Sequence, residues 1–165
     1  MLRSVLAACL AGLLVPLPLV AGESSAPAAD FSLPSRAGQS VSLAGLRGQV
    51  VLINFWATWC GPCRKEMPLL EQIQKKYAPL GFTMLGINVE EDTTQMEAFL
   101  GDVPVSFPVL LDPANRVSKL YDVAAMPSTV ILDRKGNVRY IHQGYQAGDE
   151  SRYQDVIRQL IRERT

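Results

Sequence analysis

Seven consecutive residues, Val50-Val51-Leu52-Ile53-Asn54-Phe55-Trp56, contain a single polar side chain and are otherwise β-formers. A run this short and this apolar predicts a strand covered on both faces, as in the middle of an α/β sheet. After Ala57 and Thr58 comes Trp59-Cys60-Gly61-Pro62-Cys63, and a helical pattern opens there. Leu69, Ile73 and Tyr77 recur every four residues, with Glu66 and Leu70 filling adjacent positions. The predicted helix runs from near Cys60 to about Tyr77, with Pro68 expected to kink it by removing one backbone donor. A cysteine pair is therefore delivered to a helix N-terminus by a buried strand.

The remaining pattern fills out the same class. Val41-Ser42-Leu43 alternates after the turn-like Ala37-Gly38-Gln39 and predicts a hairpin arm. Phe82 to Val89 predicts a second buried strand, Thr94 to Leu100 a short helix, Phe107 to Leu111 a short strand and Arg116 to Tyr121 another helical piece. Ser128–Asp133 and Val138–His142 flank Arg134-Lys135-Gly136-Asn137, a hairpin signal. Tyr153, Val156, Ile157, Leu160 and Ile161 fall on one face of a closing helix. The expected fold is α/β, a mixed central sheet with helices on both sides. A length of 165 residues favours one domain, expected over 31–165 and as a monomer. Lys+Arg and Asp+Glu both number 16, so no basic excess argues for nucleic acid.

Residues 1–22 carry Arg3, then an uninterrupted Ala/Leu/Val run from Val5 to Val20, then Val20-Ala21-Gly22 as small residues for cleavage. They predict a secretory signal peptide, the alternative being a retained membrane anchor. Leu6-Ala7-Ala8-Cys9 resembles an acylation box but comes too early in the apolar run. Glu23 to Ala29 reads as a small Pro- and Ser-containing linker with no fold of its own, the linker region spanning 23–30. Removing the leader removes Cys9 and leaves Cys60 and Cys63. If these two bond, they bond to each other. The loop so closed is too small to stabilise a fold much, so stapling explains them poorly. Export of one vicinal pair to an oxidising space points to redox chemistry.

A helix N-terminus presents unpaired N–H groups and positive partial charge, which favour a thiolate over a thiol. Cys60 at that end would ionise and attack, and Cys63, three residues on and largely inside, would resolve the mixed disulfide. Pro62 falls in the first turn, where a missing N–H costs nothing. A structural zinc site needs four ligands, whereas the exported chain offers two thiols and one histidine, His142. No metal and no cofactor is expected.

Phe55-Trp56-Ala57-Thr58-Trp59-Cys60-Gly61-Pro62-Cys63, with Pro68 downstream, resembles the thioredoxin-superfamily active site. Met126-Pro127-Ser128-Thr129 resembles its cis-proline loop. The hairpin-like segment before the first long strand, Arg64-Lys65-Glu66-Met67-Pro68, and the extra stretch between Val89 and Pro127 resemble the TlpA/ResA branch. That likeness spans about Phe31 to Glu163 and implies a thioredoxin-like fold with an N-terminal hairpin extension and a central insertion. It implies an extracytoplasmic or periplasmic thiol–disulfide oxidoreductase, often membrane-tethered. Its partners would be client protein cysteines and a membrane-embedded electron donor. Family clients are apocytochrome c and copper-site proteins of cytochrome oxidase or its assembly factors, and the sequence does not choose among them.

The resemblance also assigns residues. Thioredoxin has a buried Asp where this chain has Asn54, which takes up no proton. The branch instead has a Glu three residues after the second cysteine, matched by Glu66, expected to accept the Cys63 proton. The competing expectation for Glu66 is an exposed first-turn helix acid. Pro127 would turn the backbone so that Met126 pairs with an extended substrate. Trp59 would flank the thiols as an apolar contact, Trp56 would pack in the core, and Gly144 would admit a partner or simply make a turn. A peroxiredoxin needs Thr three residues before its cysteine, where this chain has Ala57. A copper chaperone of the synthesis-of-cytochrome-oxidase type uses wider cysteine spacing and a placed His, but remains the alternative to an enzyme.

Overall fold

The computed structural model describes residues 26–163. The elements run β1 (Ser32–Pro34), β2 (Ser40–Ser42), β3 (Val50–Trp56), α1 (Gly61–Tyr77), β4 (Phe82–Asn88), α2 (Thr94–Asp102), β5 (Val109–Leu111), α3 (Arg116–Leu120), β6 (Ser128–Leu132), β7 (Val138–Gln143) and α4 (Asp149–Arg162). The expected leader over 1–22 and the first linker residues lie outside the described residues.

All seven residues of β3 are buried, as its unbroken apolar run requires, because β3 is the middle strand of the order β5–β4–β3–β6–β7. It pairs parallel with β4 and antiparallel with β6, so the sheet is mixed. Strand side chains alternate between faces. Val50, Leu52 and Trp56 meet Met67, Leu70 and Ile73 of α1, with Tyr153, Ile157 and Leu160 of α4, in one core. Val51, Ile53 and Phe55 meet Phe31, Leu33, Leu43 and Val117 in the other. By the same alternation Asn54 faces α1 and α4. The only polar residue of the strand is thus placed under the helix that starts at the cysteines.

The short β1–β2 hairpin precedes β3, and β5 extends the sheet beyond β4. These are the expected hairpin extension and part of the central insertion. β5 is shorter than the predicted 107–111 strand because Pro108 has no N–H for a ladder; Phe107 still packs in the core. The Asp133 carboxylate accepts the N–H groups of Lys135 and Asn137 and closes the predicted β6–β7 turn. α1 continues through Pro68 without a break.

One expectation is corrected. The linker does not stay structureless to residue 30. The Val138 N–H donates to the Ala26 carbonyl at 2.8 Å, the Ala28 N–H donates to Gly136 at 2.9 Å, and Pro27 bridges Asn137. Ala28 is buried. The exposed edge of the β7 hairpin leaves backbone groups unpaired, and the incoming chain satisfies them. Among the described residues, no helix is long and apolar enough to cross a membrane.

Candidate active site

The turn between β3 and α1 is closed by the Cys60 N–H donating to the Ala57 carbonyl at 3.2 Å. Cys60 takes extended backbone angles, φ −83° and ψ 102°, and is the N-cap of α1. Its Sγ accepts the Cys63 N–H at 3.1 Å, so the sulfur takes the place usually filled by a capping oxygen. Pro62 lies in the first turn. Cys60 and Cys63 form a disulfide. Both sulfurs belong to buried residues, 5% and 1% exposed, so exposure alone does not rank them. What separates them is a groove of about 440 Å³ lined by Trp59, Cys60, Gly61, Pro62, Met126 and the segment 123–125. Cys60 reaches it and Cys63 does not. Trp59 stands at its rim, 69% exposed, whereas Trp56 is fully buried. A larger cleft of about 600 Å³ lies between β2, α2 and β5, bridged by Arg36 and Glu97, and carries no thiol.

The opposite wall of the groove is Met126, joined to Pro127 by a cis peptide bond. β6 begins at the next residue, with Ser128 opposite Phe55 of β3. Gly144 adopts φ +83°, and its N–H donates to the Pro127 carbonyl at 2.7 Å. Gly144 therefore holds the proline loop from behind. An added Cβ would meet nothing within 4 Å, so Gly144→Ala carries backbone strain without a clash. We expect it to lower stability by about 1–2 kcal/mol, measured by urea unfolding.

Beneath Cys63 lies a buried polar cluster. Glu66 is in the second turn of α1 and 0% exposed, so the first-turn surface acid is excluded. Its Oε2 accepts an N–H from the Asn54 Nδ2 at 2.9 Å, and the same amide donates to Thr129 Oγ1 at 3.0 Å. Glu66 Oε1 and the Tyr153 hydroxyl are buried without a hydrogen-bond partner of good geometry. Burial, which disfavours the ionised form, pushes the Glu66 carboxyl up to about 7; bonding to Asn54 and proximity to Tyr153 oppose this, and the charges of Asp149 and Glu150 add to it. Burial and the Glu66 charge push the Tyr153 phenol up as well. Asn54, Thr129 and His142 lie in register across three strands, and His142 Nε2 pairs with Asp149 Oδ2 at 2.9 Å. Among the described residues no group of three or more His, Cys, Asp or Glu could hold a metal ion.

The structure thus brings together Trp59, Cys60 and Met126 at the groove, with Pro127 joined to Met126 just outside its lining and Cys63 and Glu66 on α1 behind Cys60. Sequence reasoning did not connect Asn54 to Glu66, although the strand alternation places Asn54 on the α1 face. It counted Tyr153 only as core and did not anticipate that Glu90, which has no motif to announce it, bonds Thr58 in the turn before Cys60.

The chain belongs to the Redoxin family, whose model matches residues 21–157. Over 120 residues it is 42% identical to the thioredoxin-like protein YneN of Bacillus subtilis, covering 71% of this chain and 69% of that one. Over 125 residues it is 36% identical to the thiol-disulfide oxidoreductase ResA of Geobacillus kaustophilus, covering 76% and 71%. A thiol:disulfide interchange protein of the thioredoxin family from Chlorobium tepidum superposes with a TM-score of 0.74 at 27% identity, covering 83% of this chain and 97% of that one. Within the thioredoxin superfamily the chain is a TlpA/ResA-like protein, a thiol:disulfide oxidoreductase with Cys60 and Cys63 as its redox pair.

Proposed function

We propose that the protein reduces disulfides in client proteins outside the cytosol, with Cys60 as nucleophile and Glu66 as proton acceptor for Cys63. The observation that carries this reading is the Cys60 sulfur, capped by the Cys63 N–H and opening on a groove, with a protonatable buried carboxyl one turn behind. In the dithiol form the Cys60 thiolate attacks a client disulfide. One client sulfur leaves as thiolate and takes a proton from water, and a mixed disulfide forms. The Cys63 thiol then gives its proton to the Glu66 carboxylate and attacks Cys60 Sγ. The second client thiolate leaves, two electrons have passed to the client, and the Cys60–Cys63 disulfide remains. A dithiol donor must restore the reduced form.

An extended client strand would lie in the groove against the Met126 backbone beside Pro127, with Trp59 as its apolar contact. The branch resemblance supports cysteine pairs of apocytochrome c or of copper-site proteins as clients, and a membrane-embedded donor. The apolar leader over 1–22 supports export, by cleavage or as a tether. Incubation of the reduced protein with a disulfide-bonded peptide should release two thiols per protein oxidised. Tight stoichiometric copper or zinc binding without thiol exchange would overturn the reading in favour of a metallochaperone. Trp59→Ala should raise KM for a protein client several-fold and leave thermal unfolding unchanged, because this ring is mostly in solvent.

A further inference from the structure

Two positions past β4, the Glu90 carboxylate reaches back to the active-site turn. Its Oε2 accepts the Thr58 backbone N–H at 2.8 Å, and its Oε1 accepts the Thr58 hydroxyl at 2.5 Å. The carboxylate is itself held: Asn88 Nδ2 donates to Oε2 at 2.8 Å, and the Glu90 N–H donates to Asn88 Oδ1 at 3.1 Å. Asn88 is fully buried and stands opposite Trp56 in the β3–β4 register. The Val89 N–H also donates to the Trp56 carbonyl at 3.3 Å, and Asp112 N–H to the Asn88 carbonyl at 2.8 Å. The carboxylate thereby joins the residues just past β3 to the end of β4, and β5 is tied to the same place through the Asn88 backbone.

Thr58 is the second residue of the turn whose first carbonyl, on Ala57, accepts the Cys60 N–H. Holding Thr58 by both its backbone N–H and its hydroxyl fixes the turn, hence the direction in which Trp59 leaves and the angle at which Cys60 enters α1. The cap between Cys60 Sγ and the Cys63 N–H depends on that entry angle. Charge-assisted hydrogen bonds are the strong ones, and a pair of them on one residue adds geometric constraint.

We propose that Glu90 is a positioning residue for thiol–disulfide exchange, acting through Thr58 to hold the turn that presents Cys60. This rests on Cys60 being the nucleophile. A purely electrostatic role gives the opposite sign: removing a negative charge near a thiol makes the thiolate easier to form, whereas losing the clamp weakens the cap and makes it harder.

The test measures the rate and pH midpoint of Cys60 alkylation by iodoacetamide in the reduced full-length protein, with thermal unfolding as a check on folding. Thr58→Val removes the hydroxyl without changing charge, Thr58→Ser keeps it, and Glu90→Ala removes the acceptor. Thr58→Val should slow alkylation at pH 7 by roughly threefold to tenfold, the effect of one lost hydrogen bond, Glu90→Ala, which removes the acceptor of both Thr58 bonds, by at least as much, and both should raise its midpoint. Thr58→Ser should restore the wild-type profile, and the double variant Thr58→Val/Glu90→Ala should be no slower than Glu90→Ala alone. Unchanged profiles, a lowered midpoint in Glu90→Ala, or full additivity in the double variant would each overturn the clamp. Slow alkylation of the wild-type protein itself, no faster than a small free thiol, would instead overturn Cys60 as nucleophile.

Discussion

Cys63→Ser should hold its client covalently and stop after one encounter. The groove admits a client sulfur to Cys60, so the first exchange needs nothing from residue 63. The second exchange does. Cys63 lies three residues along α1, its N–H already bonded to the Cys60 sulfur and its side chain bonded to that sulfur in the oxidised protein. An internal thiol so placed acts at an effective concentration far above any external one, and its loss should reduce turnover by about 10³-fold or more. The mixed disulfide should appear as a client-plus-protein band on a non-reducing gel, dispersed by reductant, with mass spectrometry placing the bond on Cys60. Cys60→Ser should give neither turnover nor trapping, since the remaining thiol is buried away from the groove. Turnover near wild type in Cys63→Ser, or equal trapping by Cys60→Ser, would reverse or remove the assigned order of attack.

The placement of the two cysteines was legible in the sequence because it depends on local order. A seven-residue apolar run fixes a strand, the next few residues fix a turn, and helical periodicity fixes where the cysteines enter α1. Hairpin chemistry at Asp133 to Asn137 and the amphipathic face of α4 are local in the same sense. What was not legible joins residues far apart in the chain. Asn54 meets Thr129 across 75 positions, and Thr58 meets Glu90 across 32. Neither pair has a spacing rule, and each becomes visible only when sheet register is known. The docking of residues 26–28 on the hairpin turn was missed for a related reason. Pro, Ala and Ser composition describes the segment's own preferences, whereas its conformation is set by unpaired backbone groups on β7 and its turn. Burial of Glu66 stands between the two cases: its helical position was readable, but its complete enclosure needed α4 and Tyr153 overhead.

Glu66→Gln should separate proton acceptance from packing, because glutamine keeps the shape and the bond from Asn54 while losing the ability to take a proton. With a carboxyl pushed up to about 7, the wild-type protein near neutral pH holds enough ionised Glu66 to receive the Cys63 proton and enough driving force to return it. The resolving step, read in single-turnover experiments as release of the second client thiol, should slow by about 10²-fold or more in the variant. Its pH dependence near 7 should vanish, while the first attack by Cys60 keeps its rate. Stability gives an independent reading in the oxidised protein, where neither cysteine titrates. The folded carboxyl sits at about 7 against an ordinary value of 4.5, so between those values the unfolded chain has released a proton that the folded chain still holds. Wild-type stability should therefore fall as pH rises from about 4.5 to about 7 and level off above, by about 3 kcal/mol in all. Glu66→Gln should lack this component, so the difference between the two proteins isolates the one carboxyl from every other titrating group. A flat difference across that range, measured by urea unfolding at several pH values, would mean that Glu66 ionises as freely inside the fold as outside it. A buried carboxyl of that kind would have no reason to wait for the Cys63 proton.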